Sequence, residues 1–336
     1  MNILIYSPLF YPSIGGIETT LSILAHEFVE RGHEVKVVSH VPANDSKEFP
    51  FQVIRNPNWQ KLLKLTQWCD IYFQGCISLK GIWPLLMIRK PLVVTHQTWY
   101  CRSDGSIGLQ DYLKRYLTQF STNISASLAL AKHLRGSSTV IHNPYREEIF
   151  YKMPEIPRDR DLVFLGRLVS DKGVHLLLDA LAHLKALGLT PTLDIIGSGP
   201  EEPKLRQQVK QLELANQVNF VGAKVEKELA QLLNAHQILV VPSLWPEPFG
   251  IVALEGIACG CVVIGSEQGG LTDAIGPCGV TFPNGDVSAL TQALFDLLTH
   301  PERLATYREK AELHLSHHTK ATVAEAYLHV LERVIQ

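Results

Sequence analysis

Short runs of branched apolar residues alternate with longer amphipathic stretches along the whole chain, and few folds accommodate that rhythm. NILIYSP at the start is followed by an amphipathic segment from Glu18 to Arg31 and then by EVKVVSH. Leu21, Leu24, Phe28 and Val29 recur at helical spacing in that segment, and Gly32 supplies a stop signal. Strand, helix and strand make one βαβ unit. FQVIRN, DIYFQGC, LVVTHQ, STNISAS and STVIHNP continue the series as short strands rich in branched residues, as strands buried on both faces should be. The segment from Met153 to Arg160, with two prolines and clustered charge, interrupts the pattern as a linker would. The rhythm then restarts with DLVFLGRL, TLDIIGSGP, QVNFVGAK, ILVVPSL, CVVIGSE and GVTFPNG, separated by helical patterns at 174–187, 203–214, 227–235, 251–259 and 288–298. The expectation is an α/β protein of two Rossmann-like, doubly wound parallel-sheet domains facing across a cleft. Residues 1–152 form the first, residues 153–315 the second, and a C-terminal helix within 316–336 is able to cross back to the N-terminal domain.

Length agrees, since 336 residues fit two domains of roughly 150 each. Apolar residues make up 46% and charged residues 19%, with no apolar run of ~18 residues, which predicts a soluble protein without a spanning helix. The chain begins Met-Asn-Ile-Leu-Ile-Tyr, with no basic region or cleavage site, so a cytoplasmic protein is expected. Six cysteines show no CxxC spacing and read as reduced core residues. Net charge is −2, but between Arg55 and Arg135 there are 11 basic residues against three acids, Asp70, Asp104 and Asp111. Something acidic is expected to dock there.

Open parallel sheets bind ligands outside the carboxyl ends of their strands, so the loops that follow strands matter most. In YPSIGGIETT, Gly15 and Gly16 allow close backbone approach at a helix start, where free N–H groups favour anions; a plain strand-to-helix turn explains them equally well. His96 follows the strand LVVT, where an exposed imidazole can donate to a hydroxyl or carbonyl. Arg167 and Lys172 in GRLVSDKG put two cations at one strand end, which suits a diphosphate unless Asp171 or Glu202 pairs with them. The most specific loop is SLWPEPFGIVALEG. Glu247 precedes the helix and Glu255 falls about a turn into it, so the two carboxylates should touch different parts of one ligand. Between them the backbone of Phe249, Gly250, Ile251 and Val252 opens a helix start. Val252, Ala253, Leu254, Ile257, Ala258 and Cys259 leave little polar face for Glu255 to occupy as a surface residue.

The set PSIGG, GRLVSDKG, GSGPE, EPFGIVALEGIACG and GGLTD, in this order over essentially the whole chain, resembles the retaining glycosyltransferases of glycosyltransferase family 4 (glycosyl transferases group 1) with the GT-B architecture. The resemblance implies transfer of a hexose, with retained configuration and no metal or cofactor, from a nucleotide-sugar. UDP-glucose is the first choice of donor; GDP-mannose and UDP-N-acetylglucosamine stay open. The acceptor implied is a sugar or lipid-linked saccharide in polysaccharide or glycolipid synthesis. Arg167 and Lys172 resemble the pair that neutralises the donor diphosphate, Glu247 the carboxylate that grips the sugar, and Glu255 the one that takes the ribose hydroxyls. Gly16, with Gly15 beside it, resembles the loop glycine whose amide meets phosphate, and His96 the histidine near the sugar's C6 hydroxyl. Lys224 and Val225 would flank the base, with Gly197 and Gly199 of GSGPE beside it. Glu247 as a transient nucleophile is the competing role.

Two positions depart from the pattern: His142-Asn143-Pro144-Tyr145 stands where relatives carry Pro-Asn-Gly, and Asp273 replaces a glutamate after Gly269-Gly270, leaving it a helix-cap role. Asp159-Arg160-Asp161 precedes a strand and reads as a solvated charge cluster, and His317-His318 as the end of a loop. WQKLLKLTQW and KGIWPLLMIRK mix lysines with apolar residues, so the N-terminal face is expected either to rest on an anionic membrane at the inner face of the plasma membrane or to hold two ordinary helices. A sugar-nucleotide epimerase and a catalytically silent nucleotide-sugar-binding subunit are the rival functions. No nucleic-acid partner is expected.

Overall fold

The computed structural model describes every residue except 14, 43–47, 103 and 336, so Ile14 of the YPSIGG stretch lies outside the described residues. The chain divides into two compact units, Met1–Pro144 with Lys320–Gln336, and Tyr145–Thr319.

In the first unit seven strands form one sheet: β1 (Asn2–Tyr6), β2 (Glu34–Ser39), β3 (Gln52–Arg55), β4 (Ile71–Gly75), β5 (Leu92–His96), β6 (Thr122–Ser125) and β7 (Ser138–Val140). All pairs are parallel, in the order β3-β2-β1-β4-β5-β6-β7. β1 shows why such strands are apolar without alternation. Ile3 and Ile5 enter a core with Leu21, Leu24, Phe28 and Phe73, while Leu4 and Tyr6 enter another with Leu62, Leu65 and Tyr72. Both faces are covered, so neither can be polar. The last helix, Lys320–Ile335, inserts Val323, Tyr327 and Leu331 into the core that holds Ile3. The Tyr327 hydroxyl shares a 2.7 Å hydrogen bond with Thr95 Oγ1, at the heart of the sheet.

The second unit repeats the plan with β8 (Arg160–Leu165), β9 (Leu193–Ile196), β10 (Val218–Gly222), β11 (His236–Val241), β12 (Val262–Ser266) and β13 (Gly279–Phe282), in the parallel order β10-β9-β8-β11-β12-β13. Leu177 and Leu181 from the helix Val174–Ala186, and Leu290 and Leu294 from Val287–Thr299, pack on Phe164, Ile195 and Val240. In each sheet the chain leaves a central strand in one direction and returns on its other side. The order reverses between β1 and β4 in the first sheet and between β8 and β11 in the second. Such switch points open a crevice at the carboxyl ends of the strands.

Every anticipated strand is present, whereas several helices were not anticipated. Leu109–Leu117 buries no residue and so offers no core stripe to detect. Pro301–Glu309 and Ala311–Ser316 follow each other closely, and His317 and His318 form the turn before the last helix. The two histidines thus end a loop as expected, and His318 is buried there, with its ring 5.8 Å from Phe249 and 4.8 Å from His314. Gly270, not Asp273, caps the helix Leu271–Ile275, and Asp273 falls in its first turn. Asp161 accepts hydrogen bonds from the amide and hydroxyl of Thr192, and Arg160 donates to Asp194, so that cluster ties the start of β8 to its neighbours. All six cysteines are free, four of them buried. Helix Trp59–Trp68 buries Leu62 and Leu65 and leaves Trp59 outside, while KGIWPLLMIRK forms a four-residue helix, Leu79–Ile82, and a 3-10 turn, Trp83–Leu86. No helix among the described residues is long and apolar enough to cross a membrane.

Candidate functional site

At the second switch point the loops after β8 and β11 interlock. Gly173 stands at φ +68 so close to β11 that a Cβ there would lie 1.9 Å from the carbonyl oxygen of Pro242; only glycine fits. The amides of Leu244 and Trp245 both donate to the Asp171 carbonyl, at 2.8 and 3.3 Å. The SDKG loop and the SLWPEPFG loop are thereby held as one body, and their side chains meet.

Lys172 Nζ donates to Glu247 Oε1 at 2.5 Å, and Ser243 Oγ donates to the same oxygen at 2.7 Å. Lys172 therefore pairs neither with Asp171 nor with Glu202, which pairs with Arg206. The backbone of Glu247 is fixed as well. It bridges Gly269, and its carbonyl accepts from the Gly270 amide at 2.7 Å. A Cβ on Gly269 would lie 2.3 Å from that carbonyl, which is the physical use of the glycine pair before Leu271. Arg167 leaves the end of β8 exposed to solvent and forms no ion pair among the described residues. Lys172 and Glu247 thus meet beyond the ends of β8 and β11, and Arg167 leaves β8 five residues before Lys172 in the same loop.

The helix Ile251–Ala258 starts at Gly250, which is left-handed at φ 104 and has no side-chain cap. Its first intrahelical bond is from Ala253 to the Gly250 carbonyl, so the preceding amides at Ile251 and Val252 form the bare amino end. Glu255 lies one turn further in and is buried; burial pushes its carboxyl up to about 7, against the pull of Arg146. Arg146 in turn keeps a buried Nε without a hydrogen-bond partner and stacks over Phe150 at 5.4 Å. A buried carboxyl thus lies in the field of a guanidinium whose Nε has no hydrogen-bond partner. Groups of this kind are costly unless a ligand's hydroxyls satisfy them.

Gly197 and Gly199 have a structural use of their own. Side chains there would lie 1.8 Å from the Gly166 carbonyl and 2.3 Å from the Leu168 carbonyl, because the loop after β9 runs against the loop that carries Arg167. Leu168 donates to Ser198 at 2.9 Å and Glu201 to Leu168 at 3.0 Å, extending the sheet's order past its strands. Lys224 makes an exposed pair with Glu228 at 3.2 Å, and Val225 next to it is 65% exposed.

One expectation in the first unit is corrected. His96 is not exposed. It is fully buried, with Nε2 3.0 Å from Asn123 Oδ1 and Nδ1 2.7 Å from the Tyr100 hydroxyl. Asn123 offers its oxygen because its amide nitrogen donates to the carbonyls of Thr118, Ser121 and Ser137, so the proton of a neutral imidazole belongs on Nε2. Burial depresses His96 to about 4, and the Tyr100 hydroxyl also takes the Ile77 amide at 2.9 Å. His96 holds the loop after β4 and has no nitrogen left for a substrate hydroxyl in this arrangement. At Gly15 the helix start already carries a carboxylate. Glu18 Oε2 lies 2.5 Å from where a Cβ of Gly15 would stand, and Glu18 Oε1 accepts from Ser13 at 3.1 Å. Gly16 opens that helix, Gly16–Glu30, three residues after Ser13. Glu18 is the residue that reading the sequence passed over. Its position, third in the helix after the capping residue, was the available signal, since acidic groups favour that place.

With this geometry established, comparison with known proteins places residues 145–314 in a match to the family model described as glycosyl transferases group 1. A glycogen synthase of Mycobacterium tuberculosis is 34% identical over 175 residues, 50% of this chain and 42% of that one, so the chain spans less than half of that relative. An uncharacterized glycosyltransferase of Methanocaldococcus jannaschii is 26% identical over 333 residues, 90% of both chains. The structure of Anabaena HepE in complex with UDP superposes with a TM-score of 0.85 at 21% identity, over 99% of this chain and 100% of that one.

Proposed function

Because the chain belongs to the glycosyl transferases group 1 family, we propose that it moves a hexose from a UDP-sugar to a hydroxyl of a saccharide or lipid-linked acceptor with retention of configuration. The observation that carries this reading is the junction of Lys172, Glu247 and Ser243 at the second switch point, with Arg167 exposed in the loop that supplies Lys172. Anabaena HepE, which shares the fold, is also solved with UDP-glucose, and that sugar nucleotide is the donor of first choice.

In the proposed reaction the bond from the anomeric carbon to the β-phosphate oxygen breaks and a bond to the acceptor oxygen forms on the same face. The acceptor's proton leaves on the departing UDP, so atoms and charge balance without a further reactant. Negative charge grows on the leaving diphosphate, and Arg167 and Lys172 are the groups that meet it: a fork for two oxygens and a point charge. They supply the positive charge, so no metal is assigned a part. Without donor, Lys172 pairs with Glu247. Arrival of the diphosphate draws Lys172 away and releases Glu247 for hydroxyls of the sugar, which couples recognition of the two halves of the donor. Glu255, with Arg146 near, takes the ribose hydroxyls; the helix start at Phe249 to Val252 lies toward the sugar and phosphate. Lys224, Val225 and the Gly197 to Gly199 loop border the base.

The test is release of nucleotide from UDP-glucose, UDP-N-acetylglucosamine and GDP-mannose, first with water as the surrogate acceptor, with the anomeric configuration of the freed sugar read by NMR. Release from a UDP-sugar with the α-anomer formed first is expected. Inversion, formation of an epimer, or binding with no release from any donor would overturn the reading.

A further inference from the structure

The first switch point holds a cavity to which nothing above gives a use. The residues after β1, from Ser7 to Leu9, and after β4, from Cys76 to Lys80, line about 350 Å³ together with Gln110 and Lys114 from the helix Leu109–Leu117. Its walls are largely apolar, with Leu9, Ile77 and Leu79 among them, and among the described residues its charge is one-sided: Lys80 and Lys114 line it and no carboxylate does. Neither lysine has an ion-pair partner among the described residues; Lys114 Nζ lies 5.9 Å from the centre of the Tyr100 ring. The wall is firmly built. Cys76 adopts the left-handed region at φ 63, Gly75 packs so close to Leu21 that a Cβ would lie 2.3 Å from its Cδ1, and Tyr100 holds the Ile77 amide. A non-glycine residue in that region at a strand end is strain of the kind retained at binding sites.

The helix that supplies Gln110 and Lys114 has an unpartnered apolar stripe beside them. Leu109, Leu113 and Tyr116, continued by Phe120 in the 3-10 turn Thr118–Phe120, recur at intervals of four, three and four residues and are 77%, 42%, 42% and 68% exposed; the Tyr116 and Phe120 rings meet edge-on at 5.5 Å. Isolated apolar residues on a surface need no explanation, but a continuous stripe leading out of a cationic cavity does.

We infer that this cavity binds the acceptor, that the acceptor carries a phosphate ester, and that its apolar chain lies along the helix Leu109–Leu117. Lys80 and Lys114 meet the phosphate, and Leu109, Leu113, Tyr116 and Phe120 meet the chain. This rests on the glycosyltransferase reading for the word acceptor, but binding itself is measurable without turnover.

The experiment is co-sedimentation with phosphatidylcholine vesicles containing phosphatidic acid, with glycerol 3-phosphate as soluble competitor. Wild type is expected to sediment with these vesicles and not with phosphatidylcholine alone. Lys80→Glu with Lys114→Glu should weaken partition by about 30-fold, as two lysines at an anionic surface imply. Leu109→Ser with Leu113→Ser should weaken it comparably, since both side chains are exposed and the fold does not use them. Lys61→Glu with Lys64→Glu, on the helix Trp59–Trp68, should bind as wild type. Arg167→Ala should also bind as wild type while losing nucleotide release, which separates failure of this proposal from failure of the donor assignment. Equal binding by wild type and the Lys80/Lys114 variant, loss in the Lys61/Lys64 variant instead, or competition by glycerol 3-phosphate as tight as by the lipid would each overturn it.

Discussion

The two switch points sit at the same place in two similar sheets and have opposite characters. At the second, loops clamp each other through backbone contacts, and Lys172 and Glu247 satisfy one another before any ligand arrives, with Arg167 exposed in the loop that supplies Lys172. At the first, the loops surround an apolar cavity whose lysines form no ion pair among the described residues. A site that must stabilise charge appearing during a reaction gains from donors fixed in advance, since the cost of ordering them is met by folding. One that must admit a bulky partner gains from open, apolar walls. The same topology thus yields a tight charged junction and a loose amphiphilic one, and the difference lies in the loops.

The sharpest way to break that contrast is to remove the charges of the second junction. Arg167→Ala and Lys172→Ala should each lower nucleotide release by about 100-fold or more, while Lys80→Ala should leave release to water near wild type. Comparable losses at both switch points would abolish the division of labour.

Gly173→Ala tests whether the junction depends on backbone clamping. The new methyl group would meet the Pro242 carbonyl at 1.9 Å in a left-handed conformation, so a loss of about 3 kcal/mol is expected in urea unfolding. Gly105, also left-handed but with nothing near its absent Cβ, should tolerate alanine at about 1 kcal/mol.

Glu255 gives a pH signature. Its carboxyl is held at about 7 in the folded chain against an ordinary value of 4.5, so the folded state binds the extra proton and loses stability as pH rises across that interval. Glu255→Gln should match wild type below pH 4.5 and exceed it above pH 7 by about 3 kcal/mol. It should also bind UDP about tenfold more weakly, through the ribose. A glutamine variant less stable than wild type at pH 8 would contradict the burial argument.

The smallest effect belongs to the helix beside the first cavity: Leu113→Ser should change stability by no more than about 0.5 kcal/mol, since that side chain is exposed and belongs to none of the core clusters.

Much of this was legible before any coordinates. Strands buried on both faces are written as apolar runs, and the residues just beyond them, such as Arg167 and Glu247, fall where a parallel sheet binds ligands. The motif from Glu247 to Glu255 also revealed its loop and its helix. What stayed hidden depends on partners far along the chain. His96 looked like an exposed donor until Asn123, 27 residues later, and Tyr100 were seen to take its nitrogens. Lys172 and Glu247 are 75 residues apart, so their pairing could not be read from local spacing. The helix Leu109–Leu117 escaped notice for the opposite reason: it buries nothing, and helical periodicity shows only where one face has a core to meet.

The central claim is that the second junction is built for a diphosphate. Calorimetric titration with UDP and with uridine isolates that part of the ligand. Wild type should prefer UDP over uridine by about 100-fold or more, two charge-assisted contacts at about 1.5–3 kcal/mol each. In the Arg167→Ala, Lys172→Ala double variant that preference should collapse to within about threefold, with uridine affinity unchanged. A preference for UDP that survives intact in the double variant would contradict the account.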